Sequence, residues 1–279
     1  MNYVFFGTPE FAAIILEKLI AAHWLPQAVV CNPDRPVGRK KIISSPITKL
    51  VAQKHNILIL QPEVLSISNF QFPISNYDFF IVAAYARLLP NSILNIPKWG
   101  AIGVHPSLLP KYRGPTPIQT AILNGDAETG VTLYLMDEKI DHGPILATSH
   151  LPLATSDNYE NLLKTLAGLA GNLLIETLPK FVKDGIVPMP QDDSKATYTK
   201  KFTAHDGFVN EEILRQAQEG TNFRAAIDIE RRIRALNPEP GVYTLRNQKR
   251  TKLLEAEIIN RKLALKTIQL EGKKPQTIQ

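Results

Sequence analysis

Cysteine is almost missing from this sequence: Cys31 is the only one among 279 residues. A single cysteine excludes an internal disulfide and any cysteine-based metal site, and it suits a reducing cytosol. The six histidines show no ligand-like spacing, so no metal is expected. No apolar run approaches the roughly 20 residues that span a bilayer, so no membrane span is expected. Met1-Asn2-Tyr3-Val4-Phe5-Phe6-Gly7 has no basic stretch before its short apolar run. It reads as a strand rather than a signal peptide, which points to a cytoplasmic protein. Glycine is scarce where a dinucleotide would need it. The first strand–turn–helix holds only Gly7, and without a second glycine the backbone cannot closely approach a pyrophosphate. That argues against a nicotinamide cofactor, and no Walker-type loop is present either.

The charge is uneven. Of a net +6, residues 201–279 carry 15 Lys or Arg against 10 Asp or Glu. Such an excess fits a polyanionic partner touching the C-terminal part, since each neutralised phosphate releases counterion. It equally fits a solvated basic face, and charge alone leaves both open.

Strand and helix patterns alternate over the first 181 residues. Tyr3 to Phe6, Ala28 to Cys31, Ile57 to Leu60, Phe79 to Ala84 and Gly100 to Val104 are short apolar runs. Residues 131–135 and 145–150 read as further strands. Phe11, Ile14, Ile15, Leu16, Leu19 and Ile20 recur at helical spacing, with Thr8 placed to cap that helix. Helices are also expected over 47–55, 117–123 and 158–181, with a Pro- and Gly-rich basic loop over 32–45. Continuous apolar strands between helices predict an α/β, Rossmann-like, doubly wound and mostly parallel sheet. A catalytic domain over 1–183, a linker over 184–203 and a small β-rich domain over 204–279 complete the expected organisation. In the last of these, helices are expected over 211–217 and 223–236 and strands over 241–245, 253–259 and 263–270.

The chemistry concentrates after the buried strand that ends near Val104. His105 should sit at its carboxyl end, where open α/β sheets bind ligands. Asp141 lies in a loop between two strands, and a histidine with a carboxylate can act together in proton transfer. Alone, such a histidine is more often a structural hydrogen-bonder. The surrounding wording changes that. Phe6-Gly7-Thr8-Pro9-Glu10-Phe11, Ala83-Ala84-Tyr85, His105 through Gly114, Gly130-Val131-Thr132 and Asp141-His142-Gly143 together resemble the folate-dependent formyltransferase family. The resemblance implies 10-formyltetrahydrofolate as co-substrate, no metal, and a folate site lined by Ser107, Leu108, Leu109 and Pro110.

Within that family, two features resemble the branch that formylates the methionyl amine of initiator tRNA. The loop from Asn32 to Lys41 resembles its basic acceptor-arm loop, with Arg39 matching the key arginine and Lys40 and Lys41 beside it. Arginine favours bidentate phosphate contacts. Arg234 to Gly241 resembles the start of that branch's C-terminal β domain. Initiator Met-tRNA and folate are therefore the expected partners of a monomer. The resemblance implies that Asp141, through water, handles the amine proton. His105 would hydrogen-bond the oxyanion or share in the proton relay.

Two departures qualify the match. Family members carry a catalytic Asn two residues before the histidine, and here that position is Gly103. Removing one oxyanion donor typically slows a reaction roughly 10²–10³-fold. Water or another donor fills the gap, or the chain is an impaired binder of folate and tRNA, or the transferred group differs; a small-amine or sugar N-formyltransferase is a further alternative. On the missing-donor account, Gly103→Asn should raise the rate. Secondly, three candidate strands are too few to close the family's barrel, so a shortened, open C-terminal domain is expected. A smaller departure, Ala86 where glycine is frequent, lies near the expected folate pocket.

Overall fold

The structure is a computed structural model, and it describes residues 1–37, 41–65 and 76–278. Arg39 and Lys40, two of the three expected tRNA contacts, lie outside the described residues. The chain divides into two compact units. The first comprises Met1–Gly114, Gly130–Leu151 and Leu163–Tyr198, and the second Pro115–Thr129, Pro152–Leu162 and Thr199–Gln279.

The first unit is built on a seven-stranded sheet. Its strands are β1 (Tyr3–Gly7), β2 (Ala28–Val30), β5 (Leu58–Leu60), β6 (Phe79–Ala83), β7 (Ala101–His105), β8 (Glu128–Leu135) and β9 (Ile145–Pro152), in the order β5-β2-β1-β6-β7-β8-β9. β5, β2, β1, β6 and β7 run parallel, and β8 turns antiparallel to β7. Side chains alternate across the sheet. Val4, Phe6, Val30, Phe80 and Val82 join one buried cluster. On the opposite face Phe79 meets Phe181 of α5 (Tyr159–Asp184), with ring centres 6.2 Å apart. Burial on both faces is why these strands carry unbroken apolar runs. α1 (Glu10–Ala21) and α2 (Ile47–Lys54) form the first two crossovers, and α3 (Asn91–Leu94) is a single turn before β7.

Local expectations fail at two places. α1 begins after Pro9 with no side-chain cap; the Thr8 hydroxyl instead accepts the Asn32 backbone N–H at 3.2 Å. The expected loop over 32–45 contains a hairpin, β3 (Arg35–Val37) paired antiparallel with β4 (Ile42–Ser44). Asp34 fastens its base by accepting from Lys49, Gln61 and Ser45.

The second unit contains α4 (Pro117–Asn124), α6 (Glu211–Glu219), α7 (Phe223–Leu236) and a four-stranded antiparallel sheet. The sheet runs β10 (Tyr243–Arg246), β11 (Lys249–Ile259), β12 (Lys262–Leu270) and β13 (Gln276–Thr277). Among the described residues it is open, as three candidate strands implied, with one short strand added. α6 and α7 pack on it, and Leu214, Ile229 and Ile233 of the helices and Leu253 and Leu265 of the strands are all buried.

The stretch expected to be a linker over 184–203 belongs to the first unit as far as Tyr198. Met189 exchanges both backbone hydrogen bonds with Ile145 at the start of β9. Residues 189–198 then form a strap on the first unit, held by the side-chain bonds described next. Polar, proline-containing sequence suits a strap as well as a spacer, because both keep extended backbone without a packed face. No described helix is long and apolar enough to cross a membrane.

Candidate active site

β7 delivers His105 at its carboxyl end, and β8 beside it leads into the loop that carries Asp141. His105 is buried. Its Nε2 lies 2.8 Å from the Tyr112 carbonyl oxygen. A carbonyl only accepts, so Nε2 carries the hydrogen. Nδ1 is then the nitrogen that faces Asp141, 3.6 Å from Oδ2. That separation is too long for a hydrogen bond but keeps the carboxylate in electrostatic contact with the ring.

Asp141 is held from three sides. Its Oδ2 accepts the Gly114 backbone N–H at 2.7 Å, and its Oδ1 accepts the Tyr134 hydroxyl at 2.7 Å. The Gln191 side-chain amide donates to the Asp141 carbonyl at 3.0 Å and to the Gly143 carbonyl at 2.8 Å. Asp141 itself lies in the left-handed region, φ 49°, which aspartate tolerates better than most residues. Gly143 closes the loop back toward β8. A Cβ there would stand 1.8 Å from the Leu135 carbonyl oxygen.

Arg113 anchors the strap to this floor. It is fully buried, and its guanidinium donates to Gln191 at 2.8 Å, Asp193 at 2.8 Å and Tyr198 at 3.2 Å. The Arg113 guanidinium in turn holds the Asp193 carboxyl below its ordinary range. The chain from Arg113 through Gln191 to the Asp141 backbone makes the loop's position a property of buried, satisfied hydrogen bonds.

Of the four residues expected to line a folate site, Ser107 is occupied within its own loop. Its hydroxyl donates to the Lys111 carbonyl at 2.6 Å, and its carbonyl accepts the Thr132 hydroxyl at 2.7 Å. The Leu109 N–H donates to the same Thr132 oxygen, and Leu109 is buried. Leu108 and Pro110 are half-buried and offer apolar surface beside His105. Ser107 and Leu109 thus fix the segment, and the Leu108 side chain lies against Gly130 of β8.

Gly103 sits two pairs back from His105 and stands directly opposite Tyr134 in the β7–β8 register. A Cβ built at Gly103 would lie 2.3 Å from Cζ of Tyr134 and 2.7 Å from its hydroxyl. The space that a side chain at 103 would need is filled by the tyrosine ring. The expected gain from Gly103→Asn is therefore corrected: asparagine fits only if Tyr134 leaves, and Tyr134 is buried and bonded to Asp141. Lys41, the described member of the expected tRNA set, is exposed beside the exposed Ile42 and Ile43 of the hairpin.

The site thus sets the Nδ1 of a histidine 3.6 Å from a fixed carboxylate at a strand end. Such a pair can receive and pass on a proton. Tyr134, Gln191 and Asp193 were not singled out from sequence, because cross-strand register and a returning strap bring them in.

Comparison with known proteins bears on what the pair does. The profile described as formyl transferase matches residues 1–178, and that described as formyl transferase, C-terminal domain, matches residues 215–264. A methionyl-tRNA formyltransferase of Staphylococcus epidermidis is 41% identical, over 93% of this chain and 80% of its own. One from Enterococcus faecalis is 41% identical over 86% of this chain and 74% of its own. Among solved structures, a methionyl-tRNA formyltransferase from Clostridium thermocellum aligns with TM-score 0.62 at 16% identity, covering 97% of this chain and 98% of that one. A sugar 3N-formyl transferase solved with dTDP and 5-N-formyl-THF aligns with TM-score 0.66 at 19% identity, covering 93% and 87%. At such identities these structures speak for the fold alone.

Proposed function

This chain belongs to the formyl transferase family, and from that premise we propose that it transfers the formyl group of 10-formyltetrahydrofolate to the methionyl amine of initiator Met-tRNA. The observation that carries the chemistry is the His105–Asp141 pair, 3.6 Å apart at the end of β7. The relatives at about 40% identity support Met-tRNA as acceptor over a sugar.

The methionyl amine attacks the formyl carbon, a tetrahedral oxyanion forms, and the folate nitrogen leaves. The amine loses a proton and the leaving nitrogen gains one. With its Nε2–H engaged by the Tyr112 carbonyl, a neutral His105 presents Nδ1 as a proton acceptor. His105 is better suited to the proton relay than to donating to the oxyanion, which revises the choice left open by sequence. Asp141 lies opposite it, fixed by Gly114 and Tyr134, and stabilises the charge that His105 gains. Leu108 and Pro110 supply apolar wall for the folate ring, with Ser107 and Leu109 holding them. The basic segment with Arg39, Lys40 and Lys41 takes the acceptor arm, and residues 204–279 add the remaining positive charge.

Formylation of charged initiator tRNA with 10-formyltetrahydrofolate tests this directly. Wild type should yield formyl-Met-tRNA. Arg39→Ala should raise KM for tRNA with a reduced salt slope, because fewer counterions are released. Turnover of a nucleotide-linked amino sugar with none of Met-tRNA would overturn the proposal.

A further inference from the structure

Gly103 is where this site departs from its motif, and Tyr134 stands directly opposite it across β7 and β8. Its hydroxyl donates to Asp141 Oδ1 at 2.7 Å, while the other oxygen of the same carboxylate faces His105. The ring is buried. Burial, reinforced by the adjacent Asp141 carboxylate, raises the phenol well above its ordinary value. It therefore stays a donor throughout the working pH range. The ring stands in the volume that any side chain at position 103 would need, because Gly103 and Tyr134 are direct partners across β7 and β8.

We infer that Gly103 and Tyr134 are a matched pair, in which the absence of a side chain at 103 admits the Tyr134 ring and its hydroxyl supplies the donor that positions Asp141 toward His105. Tyr134 acts through Asp141 and is a positioning residue. A Cβ at 103 would lie 2.7 Å from the Tyr134 oxygen, so a side chain there and the Tyr134 phenol compete for the same space. One strand or the other can fill the place, but not both. This inference rests on the formyl-transfer proposal above.

The inference is tested by a cycle of variants. Tyr134→Phe keeps the ring and removes only the hydroxyl, so the fold is kept. It should lower kcat on the order of 10²-fold, the cost of misplacing a catalytic group, and leave KM for both substrates unchanged. Gly103→Asn alone should lower kcat similarly, because it displaces Tyr134 from Asp141. Gly103→Asn combined with Tyr134→Leu should recover most of the kcat that Tyr134→Leu alone loses. A Tyr134→Phe enzyme with wild-type kcat, or a double variant no faster than Tyr134→Leu, overturns it. The cycle is run on whichever amine the wild type formylates, so failure with Met-tRNA counts against the acceptor and not against the pair. Were no amine turned over, urea unfolding decides. Gly103→Asn should lower the midpoint in the wild type and spare it in Tyr134→Leu, and additive effects overturn the pairing.

Discussion

Asp141 combines a functional carboxylate with a left-handed backbone, φ 49°. Those two demands can be separated, because asparagine tolerates the same backbone region. Asp141→Asn should therefore keep the loop, the Gly114 contact and the folded stability. It loses the negative charge opposite His105, and kcat should fall roughly 10²–10⁴-fold, the range of general acid–base contributions. Rapid-quench formylation beside a thermal melt checks both halves. Cys31 gives a second residue-level expectation. It is completely buried after β2, and burial pushes its thiol up to about 11. Because the thiolate is the reactive form, native protein at pH 8 should resist thiol reagents and react at once when unfolded. Mass spectrometry after a timed alkylation distinguishes the two.

At the level of elements, the strap over residues 189–198 matters as much as the strands. Gln191 is its central residue, accepting from Arg113 and donating to the Asp141 and Gly143 carbonyls. Gln191→Ala would leave a buried guanidinium short of one acceptor and two loop carbonyls unpaired. Unsatisfied groups of this kind cost about 1–3 kcal/mol each, so the urea midpoint should drop and kcat should fall with it. Full activity in Gln191→Ala would show that Asp141 is held without the strap. The strap also marks where legibility in the sequence ended. The core strands were readable because burial on both faces leaves unbroken apolar runs, as in Phe79-Phe80-Ile81-Val82-Ala83. His105 and Asp141 were readable because motif wording and strand ends coincide. The strap was misread because polar residues that bond to a distant loop look the same as residues that bond to water. The β3–β4 hairpin was hidden by Pro36 and by exposed strands with no alternating pattern. Tyr134 was hidden inside the strand expected at 131–135, since nothing local reveals that it lies opposite Gly103.

Across the whole molecule, charge sets a limit on acid stability. The Asp34, Asp192, Asp193 and Glu212 carboxyls lie below the ordinary range, owing mainly to hydrogen bonds from Gln61, Ser194, Arg113 and Arg215 respectively. Asp206 is lowered to about 2, chiefly by the Thr203 backbone N–H. A carboxyl that binds its proton less readily when folded makes the unfolded state the better proton acceptor. Its contribution is fully present above the unfolded value, near 4, and is lost as pH falls toward the folded value. Asp34 and Asp193 belong to the first unit and Asp206 and Glu212 to the second, so both units weaken over one window. Protonation acts in the same direction a second time. The chain starts at +6, and each neutralised carboxylate raises the net positive charge and its self-repulsion. The urea midpoint should therefore hold nearly constant from pH 7 to 5 and fall between about pH 4 and 2. Asp206→Asn should lower stability at pH 7 and flatten the acid segment, because the group that carries the lowest titration is gone. A midpoint that stays level down to pH 2.5, or an Asp206→Asn curve parallel to wild type, would remove these carboxylates from the account of acid stability.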